Sequence, residues 1–284
     1  MFGKDKIIEE KDNDSIEVKE EIKLALKDTL TGEIKNIELE DYIVGVVAGE
    51  MPASFNEEAL KAQAIASRTY AMYKMKNSNG TYDLVTDKTN QVYITEDKMK
   101  KLWQENFDYY FEKIKKAVYD TKDLIMTCNG NVILSMYFAR SNGKTEDAIL
   151  VFGSNEEYLK SVESPEESLT SEVTISKDEF CNKLNISCDA INISNVLKSS
   201  SGRINSLNIN GKTFKGTEIR TLFDLKSTDF DISIGSEIKF VTKGYGHGVG
   251  MSQYGANKLA QNGKNYEEIL KHYYQNINIE KISV

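Results

Sequence analysis

The strongest constraint on this chain is a short amphipathic segment that ends on a carboxyl group. Its apolar residues recur at the spacing of one buried helical stripe: Leu39, Tyr42, Ile43, Val46 and Val47. Three residues beyond Val47, the same stripe reaches Glu50. Pro52 disfavours helical geometry at the residue before it, Met51. The sequence therefore predicts a helix that stops near Glu50, with this side chain close to the core.

This position favours an acid role for Glu50. Apolar neighbours and the negative end of the helix dipole both penalise a carboxylate, so the pKa of Glu50 is expected to be raised. A carboxyl group that stays partly protonated at neutral pH suits the protonation of a glycosidic oxygen. The alternative is a solvated glutamate at a frayed helix end.

The segments on either side of this helix also have clear patterns. Residues 22–26 and 34–39 alternate around Thr31 and Gly32, which predicts a hairpin. After Pro52, Ser54 and Glu57 predict a capping box for a second helix that ends near residue 77. Arg68 shares one face of that helix with apolar residues, so it either reaches outward or is held by a carboxylate or a substrate oxygen.

A glycine-rich loop, Gly244–Gly250, precedes the last two predicted helices. It matches neither a dinucleotide fingerprint nor a phosphate loop. Alternating glycines predict a close backbone approach, with His247 presented by the loop. The alternative is a tight structural turn in which His247 is merely packed.

Composition limits the function classes. A net charge of -8 argues against a nucleic-acid binder, which needs a basic face. Mixed patterns predict an α+β fold, with helices and strands around a substrate groove and a smaller accessory lobe at about 177–234, where a helix pair precedes a third helix. Cys181 and Cys188 are able to pair, although the sequence does not decide it, and the distance from Glu50 to a second carboxylate, Glu146, is undetermined.

The first residues have a different character from the rest. Residues 1–20 are charged and predict a disordered lead-in to a domain spanning 21–284. They contain no signal peptide, and no later apolar run is long enough to span a bilayer. We therefore expect either a cytoplasmic protein or an ectodomain without its anchor.

Four segments together resemble the stage II sporulation protein D (SpoIID) family over roughly residues 30–284. They are GEMPASF at 49–55, EALKAQAIASRTY at 58–70, YLKSV at 158–162 and GYGHGVGMSQYGA at 244–256. The resemblance implies a lytic transglycosylase of endospore formation that cuts peptidoglycan glycan strands and forms 1,6-anhydro ends. The alternatives are a glycan-binding modulator of a cell-wall amidase and a muramidase-type hydrolase.

The resemblance also implies roles for individual residues. Glu50 matches the catalytic glutamate, and the remaining matches belong to the substrate site: Arg68, Tyr158, Lys160, His247, Gln253 and Tyr254. The chain departs from the family after Tyr137, where the zinc ligands of some relatives are absent, so we expect no metal and no cofactor.

The implied setting is the cell wall. The resemblance places the protein at the extracytoplasmic face of the membrane, held by an N-terminal helix that precedes the charged lead-in. Its implied partners are glycan strands stripped of stem peptides, a partner amidase and other membrane proteins of engulfment.

Overall fold

The computed structural model describes residues 21–87 and 89–282, so the predicted lead-in at 1–20 lies outside the described residues. The helices are α1 (Leu39–Glu50), α2 (Glu57–Lys76), α3 (Glu96–Trp103), α4 (Phe107–Tyr119), α5 (Ala148–Phe152), α6 (Lys177–Leu184), α7 (Gly216–Leu222), α8 (Gln253–Gln261) and α9 (Tyr266–Tyr273). The first strands are β1 (Lys23–Lys27), β2 (Ile34–Glu38), β3 (Leu84–Val85), β4 (Leu124–Cys128), β5 (Asn131–Val132), β6 (Tyr137–Phe138) and β7 (Thr170–Ser176). The others are β8 (Ile193–Lys198), β9 (Ile204–Ile209), β10 (Lys212–Lys215), β11 (Phe230–Ile234), β12 (Glu237–Lys243), β13 (Met251–Ser252) and β14 (Asn278–Lys281). The predicted α+β class is confirmed.

The first hydrophobic core forms around α2. This helix packs against α1, α4, α8 and α9, and its alanines at 59, 62, 64, 66 and 71 are buried. Small side chains let neighbouring helices approach closely. The long α2 is therefore the element on which the ends of the chain and the Glu50 helix are assembled.

Helix α1 is buried on more than one side. The prediction was a single apolar stripe, yet every residue from Tyr42 to Ala48 is buried. The antiparallel hairpin of β1 and β2, which the sequence predicted, leads directly into α1. The other faces of α1 are covered by α2, α4 and the segment around residues 92–94.

A second hydrophobic cluster lies later in the chain. It is built on Phe180, Phe223, Phe230 and Phe240, from the sheets β11-β12-β7 and β10-β9-β8 with α6 and α7. A disulfide joins Cys181 and Cys188 within this region. The cluster extends from residue 173 to residue 240, and the accessory lobe at 177–234 stays a prediction.

Two local predictions were wrong. The cap of α2 is Asn56, whose side chain accepts a hydrogen bond from the Glu58 N–H at 3.0 Å, so Ser54 and Glu57 form no capping box. Asn is as good a cap as Ser and stands directly before the first helical residue. The predicted helix pair after Lys177 is only α6, because residues 193–198 pair with β9 as a strand.

No helix within residues 21–87 and 89–282 has the length and apolar character needed to cross a membrane.

Candidate active site

Two glycines of α1 bring Glu50 against a segment from elsewhere in the chain. A Cβ on Gly45 would lie 2.9 Å from the Ile94 carbonyl oxygen, and one on Gly49 would lie 2.4 Å from that of Val92. Only glycine permits this close backbone approach. As a result, the Val92 N–H donates a hydrogen bond of 2.7 Å to Glu50 Oε1.

The Glu50 carboxyl group has the electrostatics of an acid. Burial raises its pKa, and hydrogen bonds from the Val92 N–H and from the side chains of Gln253 and Tyr137 lower it by less. The net direction is upward, as the sequence predicted for this position. Glu50 is half-buried, so it keeps access to a ligand.

A pocket of about 470 Å³ opens beside Glu50. Its polar lining includes Glu50, Tyr70, Asn90, Gln91, Tyr137, Arg220, His247 and Gln253. Among its described lining residues, Glu50 is the sole carboxyl group. The walls come from the α1–α2 core and the glycine-rich loop, and α7 contributes Arg220.

In the pocket wall, hydrogen bonds orient the groups that contact Glu50. Tyr42 donates to Gln91 Oε1 at 3.2 Å, and Gln91 Nε2 donates to the Tyr137 hydroxyl at 2.9 Å. Gln253 Nε2 donates to Gln63 Oε1 at 3.3 Å. Since these donors and acceptors are already engaged, Tyr137 and Gln253 are held in position before any ligand arrives.

The glycine-rich loop approaches the protein's own chain. The short strands β13 and β6 pair in parallel, which lays the loop along residues 136–140. Gly246 has a φ of 117°, and a Cβ there would lie 2.7 Å from the Phe138 side chain. Gly250 has a φ of 76°, and its Cβ would lie 2.0 Å from the Met136 carbonyl oxygen. The glycines therefore serve this packing.

His247 lines the pocket as a neutral imidazole. Its Nδ1 accepts a hydrogen bond of 3.1 Å from the Val249 N–H, and its ring packs against Phe138 and Phe152. Burial, together with the nearby positive charge of Arg220, lowers the pKa of His247 to about 4. It is therefore uncharged at neutral pH.

Arg68 lies away from the pocket. Its side chain is fully buried, and its Nε and Nη2 donate to the Glu40 carboxylate at 2.8 and 2.6 Å. The remaining hydrogen bonds go to the carbonyl oxygens of Leu124 and Val118, each at 3.1 Å. Arg68 thus ties α1 to α2, α4 and β4, and of the two readings of this residue the structure matches the one with a carboxylate partner.

Tyr158, Lys160 and Tyr254 also lie outside the lining of this pocket. The Tyr158 hydroxyl accepts a hydrogen bond from the Leu134 N–H at 3.2 Å, and Lys160 Nζ donates to Asn155 Oδ1 at 2.7 Å. The Tyr254 ring lies 3.6 Å from the guanidinium of Arg140. The structure brings together Glu50, His247 and Gln253; substrate roles for the others stay predictions.

Glu146 belongs to a different pocket, of about 440 Å³. Its Oε2 accepts hydrogen bonds from the hydroxyls of Ser199 and Ser201, and its Oε1 accepts one from the Asp147 N–H at 3.0 Å. These bonds link the loop after β6 to the turn after β8. Glu146 is therefore not paired with Glu50 across one cavity.

The sequence analysis did not predict five of the polar residues that line the pocket: Tyr70, Asn90, Gln91, Tyr137 and Arg220. Tyr137 marked only the point after which the chain departs from the family. Their partners lie far away in the sequence, so no local spacing connects them with Glu50.

Comparisons with known proteins identify the family of this chain. Residues 27–128 match the profile of the SpoIID family, described as Stage II sporulation protein. The chain is 39% identical over 265 residues to stage II sporulation protein D of Bacillus subtilis (strain 168), which covers 89% of this chain and 77% of that protein. The corresponding protein of Bacillus amyloliquefaciens is 39% identical over 260 residues, with 87% and 76% covered.

A relative with a different name also matches. The chain is 30% identical over 294 residues to a protein named amidase enhancer from Bacillus subtilis (strain 168), which covers 81% of this chain and 39% of that protein. The high identity and long coverage of the first two relatives are decisive. The chain is a member of the stage II sporulation protein D (SpoIID) family.

Proposed function

We propose that this chain is a peptidoglycan lytic transglycosylase of endospore formation. It cleaves the bond from N-acetylmuramic acid (MurNAc) to N-acetylglucosamine (GlcNAc) and leaves 1,6-anhydro-MurNAc ends. The observation that carries the proposal is a pocket whose sole carboxyl group among the described lining residues, Glu50, has a raised pKa. Glycosidases that admit water usually need two carboxyl groups, whereas the second candidate, Glu146, lines another pocket.

In this mechanism Glu50 acts twice. Its carboxyl proton passes to the glycosidic oxygen, the bond from that oxygen to C1 of MurNAc breaks, and GlcNAc leaves with a free hydroxyl group. The C6 hydroxyl oxygen of the same MurNAc then bonds to C1, and its proton returns to the Glu50 carboxylate. No water is consumed, and Glu50 ends in its starting state.

The neighbours of Glu50 serve both halves of this cycle. Burial favours the neutral acid before the first proton transfer. Hydrogen bonds from the Val92 N–H, Tyr137 and Gln253 stabilise the carboxylate after it. His247 is neutral at the working pH and so does not compete as an acid.

The more distant residues have supporting parts in the proposal. Arg68 positions α1 through Glu40 and does not contact the glycan. Tyr254, with its ring against Arg140, and Lys160 continue the binding surface beyond the pocket. Aromatic faces of this kind pack on sugar rings. Tyr158 is buried in the first hydrophobic core and supports this surface from beneath.

The proposed setting follows the family. The substrate is a glycan strand stripped of stem peptides by a partner amidase, and the protein acts at the extracytoplasmic face of a membrane with other engulfment proteins. The relative named amidase enhancer supports a link to amidases.

That same relative favours a second candidate, a glycan-binding modulator of a cell-wall amidase. Such a protein would use the pocket to hold a strand and would not need a titrating Glu50. A muramidase that admits water is the rival enzyme. The rivals differ from the proposal in their products.

The test is mass spectrometry of the soluble products from amidase-treated peptidoglycan. Wild type, Glu50→Gln and the matched exposed control Glu96→Gln are compared, with glycan binding measured in parallel. Anhydro-MurNAc products from the wild type and the control, but not from Glu50→Gln, are expected. Reducing ends would establish the muramidase instead, and binding without products from any variant would establish the modulator.

A further inference from the structure

Arg220 is a cation in the Glu50 pocket that the proposed mechanism does not use. It lies on α7, in the second hydrophobic cluster, and lines the same pocket as Glu50. Its Nε donates to the Leu225 carbonyl oxygen at 3.3 Å. Within residues 21–87 and 89–282 no carboxylate forms an ion pair with it.

The surroundings of Arg220 leave its charge incompletely matched. Burial lowers the pKa of Arg220, and only the nearby Asp224 and Tyr245 act in the opposite direction. Its charge in turn helps to lower the pKa of His247, which lies in the same pocket. A partly desolvated guanidinium without a carboxylate partner is a favourable place for an anionic ligand group.

The pocket therefore contains both a proton donor, Glu50, and a cationic group, Arg220. Glu50 supplies a proton where a glycosidic oxygen would lie, and Arg220 supplies a planar fork suited to a carboxylate. Of the two sugars in the glycan strand, MurNAc alone carries a carboxyl group, on its lactyl ether. In a strand with stem peptides that group is an uncharged amide, and removal of the peptide frees it as a carboxylate.

We infer that Arg220 binds the free lactyl carboxylate of the MurNAc residue and is the residue that recognises the peptide-free strand already named in the proposed function. This inference rests on the proposed function and names the specificity-determining residue of that same site. The α7 helix and its cluster thereby contribute directly to substrate choice.

The test compares two ligands that differ only at the lactyl group, in a Glu50→Gln background where turnover is slow. One is the GlcNAc-MurNAc tetrasaccharide with free lactyl carboxylates; the other is the same tetrasaccharide with those groups converted to methylamides. Titration calorimetry is expected to show about tenfold or more tighter binding of the free carboxylate to a protein with Arg220 intact. Arg220→Gln is expected to remove that preference while it leaves methylamide binding unchanged.

Two further variants keep the result interpretable. Arg220→Lys keeps the charge without the planar fork, and part of the preference should remain. Lys239→Gln removes a positive charge from the exposed surface of the same cluster, and the full preference should remain. The comparison of ligands on the parent protein needs no substitution at Arg220, so a folding defect in one variant does not hide the answer.

The outcomes separate this inference from the proposed function. Equal binding of both ligands, together with anhydro products from the protein with Glu50 intact, overturns the role of Arg220 and leaves the function standing. If the protein with Glu50 intact releases no anhydro products and binds neither tetrasaccharide, the role of Arg220 and the proposed function are both overturned.

Discussion

Glu50 and Glu166 are both largely buried, yet the protein shifts their pKa values in opposite directions. At Glu50 burial outweighs the hydrogen bonds, and the pKa is raised. At Glu166 burial also acts to raise the pKa, but hydrogen bonds from Ser164, Ser252 and Ser141 outweigh it, and the pKa is lowered. The balance between desolvation and hydrogen bonds to the charged form decides whether a glutamate is held as an acid or as an anion.

The two sites are joined by consecutive residues at the start of α8. The hydroxyl of Ser252, which caps this helix, donates to Glu166 Oε1, and the side chain of Gln253 bonds to Glu50. Glu166 also accepts from the Ser141 N–H at 2.7 Å and from the Ser164 hydroxyl at 2.6 Å. The anion at Glu166 thus holds the segment that presents Gln253 to the acid.

The largest effect should come from Glu50→Gln. The amide keeps the shape of the side chain and removes the titrating proton, so kcat for anhydro product release should fall by about 10²- to 10⁴-fold. Because the amide is not penalised by burial as a carboxylate is, the free energy of unfolding at neutral pH should not fall. Product release kinetics and urea unfolding measure the two quantities; a clear loss of stability would show that Glu50 is a structural anion like Glu166.

The next effect tests a third buried carboxylate, Glu40, whose partner is an arginine. Arg68→Met leaves Glu40 buried without that partner, and the free energy of unfolding should fall by about 3–5 kcal/mol. Adding Glu40→Gln should recover part of the loss. Urea unfolding of the single and double variants makes the measurement, and additive losses would show that the two side chains do not interact.

A smaller loss of stability is expected for Glu166→Gln. An amide nitrogen is unable to accept from the hydroxyls and the N–H that surround this carboxylate, so the free energy of unfolding should fall by about 2 kcal/mol. Any activity loss should be smaller than for Glu50→Gln, since Glu166 acts only through the segment at Ser252. If Glu166→Gln removed all activity from a fully folded protein, the contrast between the two glutamates would fail.

The smallest expected effect is on the pH dependence of stability, which should have opposite signs for Glu166 and Glu50. The folded pKa of Glu166 is lowered, so its contribution is present above the ordinary value of 4.5 and is lost as the pH falls towards the folded pKa. The folded pKa of Glu50 is raised, so its contribution is present at low pH and is lost as the pH rises from 4.5 through the folded pKa.

Unfolding free energies measured from pH 7 down to acid pH should therefore diverge between the two variants. The deficit of Glu166→Gln relative to the wild type should shrink as the pH falls below the ordinary carboxyl range. The stability of Glu50→Gln relative to the wild type should be greatest near neutral pH. Parallel curves for both variants would contradict the opposite pKa shifts.

Local patterns predicted several of these features because they depend on near neighbours. The stripe from Leu39 to Val47 and the stop at Pro52 were enough to end α1 at Glu50 and to give the direction of its pKa. The hairpin before α1 was also correct, since alternation and a turn at Gly32 are local signals. The predicted N-cap of α2, Ser54, lies two residues before the observed one, Asn56, because both residue types are good caps.

Other features were beyond local patterns. From its own helix alone, the Arg68 side chain was equally compatible with reaching outward and with being held by a carboxylate or a substrate oxygen. The choice depended on Glu40, which lies on another helix. The glycines of the 244–250 loop indicated a close approach, but that its partner is the chain at Met136 and Phe138 depended on the pairing of β13 with β6. Residues 193–198 formed a strand because β9 was available as a neighbour.

The sequence by itself determined the α1 helix, the place of Glu50 at its end, and membership of the SpoIID family. Periodicity, capping and motif order are properties of residues close together in the chain, and they remain visible without a fold. Tertiary structure alone decided that Tyr137, Gln91 and Arg220 share a pocket with Glu50 and that Glu146 does not. Hydrogen bonds and desolvation act over a few ångströms in space, so the pKa of each carboxyl group depends on residues that only folding brings near.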